Sequence, residues 1–444
     1  MAEYNDGLST NHMQIPWGEL ANKESHLLVI NASLREKTMI VGRTGLIMLS
    51  CGTGAWRVRA TMNAISRVLN IYCSADIGLT SISYTCFDDD NSYTESLSLK
   101  STGVNTDKLT DMEHFVQMFE DEGALLEVKT IHQRLDEINS KKGNYTPALL
   151  GLAAALACCS FVFLLGGGPI EMLCTFFGAG LGNYTRAKMN GKQLTLFAGL
   201  AMGVAVACLT YLIVSRSLEV LFHINVAHEA GYIGAMLFAI PGFPFITSGL
   251  DIAKTDMRSG MERLVHALSI IIIATLVGWL VALVSDLKPD SFLPVGLSPL
   301  VICLLRIPAS FCGVFGFSIM FNSPVKMAAT AGFIGAIANT LRLELGDLTS
   351  LPAPAAAFIG ALTAGILASL FHKRMGYPRI SLTVPAIVIM VPGLYMYRAM
   401  YYLGIGHVAV GGQWFISAMM IVLFLPLGLI VARMIMDSDW RHER

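Results

Sequence analysis

The chain has 444 residues, 54% of them hydrophobic and only 14% charged, with a formal net charge of −1 and a mean hydropathy of +0.58. Soluble domains run nearer a quarter charged, so this is the composition of an integral membrane protein, and the near-neutral balance argues against nucleic acid as a partner. The nine cysteines form no CxxC or other metal-ligand spacing, so they read as small core residues in a reducing compartment, with no metal or cofactor implied.

Residues 1–25 are polar and expected to be flexible. The first 26 residues hold no apolar core of about 7–15 residues, so no signal peptide is read and the N-terminus is expected in the cytoplasm. A helix is expected over 36–50 and another over 55–69, where Val58, Met62, Ile65 and Leu69 share one face. Ile82, Tyr84 and Cys86 alternate with polar residues as in a half-buried strand. Asp88-Asp89-Asp90-Asn91 turns the chain, more plausibly as a solvated hairpin than a cation site, and Ser92–Lys100 returns as a second strand. Two amphipathic helices follow, striped by Met112, Phe115, Val116 and Phe119, then by Val128, Ile131, Leu135 and Ile138. His114 and His132 fall on their polar faces. This first third reads as a small α+β domain of roughly 110 ordered residues, enough for its own core.

From Pro147 apolar runs dominate, and a span needs about 20 apolar residues. Ten spans are read, at 147–166, 169–184, 193–214, 230–250, 264–285, 299–321, 326–341, 353–371, 379–398 and 413–433, the second and seventh being short. With the N-terminus inside, the inner loops hold fifteen Lys and Arg, whereas the outer loops hold Arg216, Lys288, Arg342 and Arg398. Both termini are therefore expected in the cytoplasm.

Two Pro-Gly pairs sit inside long apolar runs, Pro241-Gly242 and, 151 residues later, Pro392-Gly393. Proline removes a backbone donor and glycine adds freedom, so each helix should break there. In hydrocarbon that is tolerated only where protein or a wet cavity satisfies the freed groups, and paired breaks in matching halves point to a transporter's substrate site. Spans one and six, four and nine, and five and ten correspond at a similar interval. Phe177–Arg186 echoes Phe333–Arg342, including Asn183 and Asn339. Five spans per half is odd, so the second half would enter from the opposite side. The expected fold is a polytopic α-helical membrane protein of about ten transmembrane helices in two five-helix inverted repeats. A cytoplasmic α+β domain over 1–145 precedes repeats over 146–287 and 288–444.

Few ionisable groups enter the spans, and each is a functional candidate because intramembrane charge is expensive. Glu171 could carry a proton or simply sit at an interface. Arg306, before Ile307-Pro308, could hold a substrate carboxylate or pair with a carbonyl or Glu171. Asp251, Asp256 and Arg263 flank the inner end of span four and read as a gate, a coupling site or a structural cluster. Thr247 and Ser248 after the first break, and Tyr395 after the second, could line a polar cavity. Asn183 and Asn339 could bond an unwound helix end or a substrate.

These residues resemble the ThrE family of threonine/serine exporters, in the form that fuses a longer first half to a shorter membrane half. The likeness runs from about residue 35 to 433. It rests on Gly54 and Arg57, Gly167-Gly168-Pro169-Ile170-Glu171, Pro241-Gly242 followed by Asp251, Asp256, Gly260 and Arg263, then Phe321-Asn322 with Pro324, and Pro392-Gly393-Leu394-Tyr395. The family usually has Asp at Glu171 and often Gly at Thr255. The resemblance implies efflux of small polar solutes, threonine and serine by proton-coupled antiport, or succinate as in split two-protein relatives. The expected setting is a bacterial inner membrane, with lipid around the spans, a possible homo-oligomer, and no enzymatic constellation. A channel or a membrane-embedded sensor remains the alternative from another class.

Overall fold

The computed structural model describes residues 15–20, 26–192, 194–223, 231–289, 292 and 296–441. The chain is mostly helical and clusters into two units, residues up to Lys142 with Lys254–Glu262, and Gly143–Ala253 with residues from Arg263 onward.

In the first unit, α1 (Leu34–Ser50) is capped by the Ser33 hydroxyl, which accepts from the Glu36 N–H, and α2 (Ala55–Val68) follows. Three antiparallel strands then form a sheet in the order β1 (Tyr72–Ile77), β2 (Ser81–Phe87), β3 (Ser92–Ser98). The central strand buries Ile82, Tyr84 and Cys86 against α1, as its alternation implies. Sequence reading missed β1, an edge strand that fully buries only Ile77 while Cys73 and Ala75 on the same face stay half-exposed. Asp88 Oδ1 accepts from the backbone N–H of Asp90 (3.0 Å) and Asn91 (2.6 Å), closing the β2–β3 hairpin. The unit is completed by α3 (Thr106–Glu122) and α4 (Val128–Ser140).

His132 was expected on a polar face, yet it is buried. Arg43, 1% exposed, donates from Nη1 to His132 Nδ1 at 2.8 Å, so His132 Nε2 carries the proton and donates to Glu36 Oε1 at 2.7 Å. Arg43 also pairs with Asp136. A helical stripe predicts which face turns inward. It cannot foresee that a distant arginine and glutamate make a buried histidine tolerable.

The second unit contains α5 (Pro147–Leu164), α6 (Pro169–Asn190), α7 (Leu196–Phe222), α8 (Tyr232–Ala235, extended by a 3-10 turn at Leu237–Ala239) and α9 (Gly242–Ala253). After α10 (Met257–Val284), whose first residues cluster with the first unit, come α11 (Pro299–Met320), α12 (Val325–Leu348), α13 (Ala353–Met375), α14 (Arg379–Val388), α15 (Gly393–Gly404) and α16 (Val408–Met436). Among the described residues, six helices are long and apolar enough to cross a membrane: α5, α7, α10, α11, α13 and α16. The number rises to eight if each of two bent pairs, α8–α9 and α14–α15, is one span. The two shortest expected spans lie in α6 and α12, outside that set. These helices carry Asn183 and Arg186, and Asn339 and Arg342, which makes them less oily than the six.

Candidate functional site

Both Pro-Gly pairs interrupt helices within the second unit. The chain bends by 52° between Tyr232–Ala239 and Gly242–Ala253, and by 48° between Arg379–Val388 and Gly393–Gly404. Proline cannot donate to the preceding turn, so the first half-helix stops before it and a new helix starts at each glycine. A Cβ on Gly242 would overlap Val388 and lie 3.4 Å from Val391, while a Cβ on Gly393 would overlap Ile240. Each glycine thus seats against the residues that precede the other break. Between them lies a small apolar cavity of about 10 Å³, roughly one water's worth of room, lined by Phe161, Leu237, Ile240, Phe317, Val388 and Val391. The Tyr232 hydroxyl donates to the Tyr397 hydroxyl at 2.7 Å, tying the first half of one bent pair to the second half of the other.

The freed carbonyls at the breaks meet two arginines. Arg186 Nη1 donates to Phe238 O at 3.5 Å, and Arg342 Nη1 donates to Met390 O at 3.5 Å. The arrangement around each is alike. Three residues earlier on the same face, Asn183 Nδ2 donates to Leu150 O (2.8 Å) and Asn339 Nδ2 to Ser310 Oγ (2.9 Å). Each arginine stem packs on a glycine of the next helix, Gly203 and Gly360, where an added Cβ would lie 3.0 and 3.1 Å from the arginine Cβ. Sequence reading placed both arginines in loops, counting Arg186 inside and Arg342 outside. The structure places both within helices. The signal was present in the repeated Asn-x-x-Arg, which puts amide and guanidinium on one helical face.

The remaining candidates separate. Asp251 and Arg263 meet in a buried ion pair at 3.1 Å, joining α9 to α10. Asp256 belongs to the first unit and pairs with Arg59 at 2.5 Å. Glu171 is 3% exposed and accepts from the Gly168 N–H at 3.0 Å, capping the start of α6. Arg306 is held by Glu344 (2.7 Å) and Asp347 (2.6 Å), two carboxylates that sequence reading did not consider. A substrate carboxylate at Arg306 would have to displace them. The Thr247 hydroxyl is buried and satisfied by Phe243 O at 3.1 Å, and Ser248 is buried beside it. Tyr395 packs edge-on against Trp414 at 5.0 Å. No cluster of three metal-ligating side chains occurs among the described residues.

Residues 39–285 match the ThrE family, described as "Putative threonine/serine exporter", and residues 306–435 match ThrE_2, described as "Threonine/Serine exporter, ThrE". The chain belongs to the ThrE family. It is similar to a Mycobacterium tuberculosis protein named "Probable threonine/serine exporter", 24% identical over 389 residues, covering 83% of this chain and 70% of the relative. It is also similar to the Escherichia coli K12 "Probable succinate transporter subunit YjjP", 26% identical over 250 residues, 56% of this chain and 94% of the relative. A third relative, "Pheromone-regulated membrane protein 10" of Debaryomyces hansenii, is 21% identical over 402 residues, 84% of this chain and 37% of the relative. No solved structure matches the chain. With its apolar helices, the chain is a multi-pass membrane protein of an exporter family.

Proposed function

We propose that the chain is a secondary exporter of small carboxylate-bearing metabolites, threonine or serine first and succinate as the alternative, working by alternating access. The observation that carries this reading is the pair of bent helices whose breaks seat on each other. Half-helices that begin near the bilayer midplane aim their positive N-termini at an anionic group, and unwound carbonyls take a cation. The cavity between the breaks is far too small for an amino acid, so this conformation is closed and transport requires the breaks to part. The matching Asn, Arg and Gly around each break support two five-helix repeats of inverted topology. Ten spans with both termini in the cytoplasm of a bacterial inner membrane go with that reading. Glu171 is the proton carrier in this scheme, and the Asp251–Arg263 pair is a gate or coupling element.

The test is efflux from liposomes loaded separately with labelled threonine, serine or succinate, with and without a proton gradient, for wild type and Glu171→Gln. Saturable, gradient-dependent efflux of one solute, lost in the variant, is the expected result. Unsaturable leakage would establish a channel instead, and absence of any flux from folded protein would leave a sensor.

A further inference from the structure

The two arginine sites at the breaks are alike in backbone and unlike in how deeply their leftover polar atoms are buried. Around the second break, Asn339 is fully buried and its Oδ1 accepts no hydrogen bond among the described residues. One turn on, Arg342 Nε is buried and likewise unpartnered. Neither atom is a small matter, because a buried polar atom without a partner costs about 1–3 kcal/mol, more when charged. Around the first break, no buried side-chain atom of Asn183 or Arg186 is left over among the described residues. There the guanidinium also lies over the Phe238 ring at 5.7 Å, a cation–π contact. The second break has Met390 at the corresponding place, and among the described residues no cation–π contact involves Arg342. Arg342 also has no carboxylate partner among the described residues, unlike the buried Arg43 and Arg263. The arginine whose charge acts on it, Arg306, is already held by Glu344 and Asp347. The start of α15 adds the positive end of a helix at the same break.

The leftover atoms are one cationic donor and one neutral acceptor, three residues apart on one helical face. An anion alone would satisfy only the first. Building on the exporter reading, we propose that Arg342 and Asn339 are substrate-contacting residues of the second break. Together they select a carboxylate that carries a hydrogen-bond donor beside it over a plain dicarboxylate. Arg342 Nε takes the carboxylate, and Asn339 Oδ1 accepts from the adjacent ammonium. Arg186 and Asn183, which leave no fully buried side-chain atom without a partner among the described residues, are structural. The site is therefore asymmetric although its scaffold repeats. Entry of the ligand accompanies separation of the breaks, when Met390 O and the guanidinium draw apart.

The experiment is binding of L-threonine, L-serine and succinate to purified full-length protein by calorimetry, in wild type, Asn339→Ala, Asn339→Asp, Arg342→Lys and Arg186→Lys. The quantity read is the ratio of the succinate Kd to the threonine Kd, which a general loss of stability does not move. Wild type is expected to prefer threonine. Asn339→Ala should cut that preference by about tenfold or more, the usual size of a hydrogen bond to a charged group. Arg342→Lys should weaken all three ligands, and Arg186→Lys should leave the ratio alone. Asn339→Asp keeps an acceptor of the same size and retains the preference, so it serves if the alanine variant fails to fold. An unchanged ratio in Asn339→Ala, or a ratio moved by Arg186→Lys, overturns the assignment while leaving the exporter reading intact. Wild type that binds none of the three solutes but folds would sink both.

Discussion

Replacing Arg263 by Met asks whether its buried pair with Asp251 is a brace or a working part. The two groups lie 3.1 Å apart with side chains 3% and 0% exposed. At an effective dielectric of about 20, Coulomb attraction at that separation is about 5 kcal/mol, opposed by the desolvation of both groups. Removing the arginine alone takes from a buried carboxylate its ion-pair partner, which costs about 3–5 kcal/mol. Thermal unfolding in detergent should then begin on the order of 10 °C lower. The double variant Asp251→Asn, Arg263→Met removes both charges and should recover most of that loss. Efflux measured on the same samples divides the two roles: a brace regains transport in the double variant, whereas a gate or coupling pair regains only stability. A single variant as stable as wild type, or a double variant no better than the single, would refute the reasoning.

Three further predictions follow from the same geometry. Gly393→Val places atoms where Ile240 already sits, so it should strain the closed form by about 1–3 kcal/mol and slow efflux, with Gly393→Ala milder; kinetics identical to wild type would mean the breaks do not seat as described. Arg43→Met leaves the buried His132 Nδ1 without its donor and Asp136 without its cation and should destabilise the first unit by about 1–3 kcal/mol, seen as faster amide exchange across α1 and α4, where no change would count against the network. Burial pushes the Cys51 thiol up from 9.0 to about 12. It should therefore resist iodoacetamide at pH 8 in the folded protein. Because the folded state holds this proton more tightly than the unfolded chain, its contribution to stability is complete below about pH 9 and is lost as pH rises toward about 12. Rapid labelling at pH 8, read by mass spectrometry, would contradict the burial.

Membrane class, the two broken helices and the α1, α2, β2 and β3 segments were legible in the chain because each has a local cause. Apolar runs longer than a soluble helix needs, a proline that cannot donate, and alternation along a strand all act within a few residues. Asn183-x-x-Arg186 and Asn339-x-x-Arg342 were also legible as an echo, with the asparagines as site candidates but not the arginines. Counted as loop charges, the arginines looked like topology markers. Their meaning depends on carbonyls freed at Phe238 and Met390, dozens of residues away.

What the sequence determined by itself was therefore where helices run, where they must stop, and which family chemistry to expect. Only the tertiary structure decided the partners of the charges. It gave Arg306 to Glu344 and Asp347, Asp256 to Arg59, Asp251 to Arg263, and left Arg342 with no acid at all among the described residues. The reason is physical: a helix break is set by the backbone of a few consecutive residues, whereas the state of a buried charge is set by whichever groups the fold carries within hydrogen-bond reach of it.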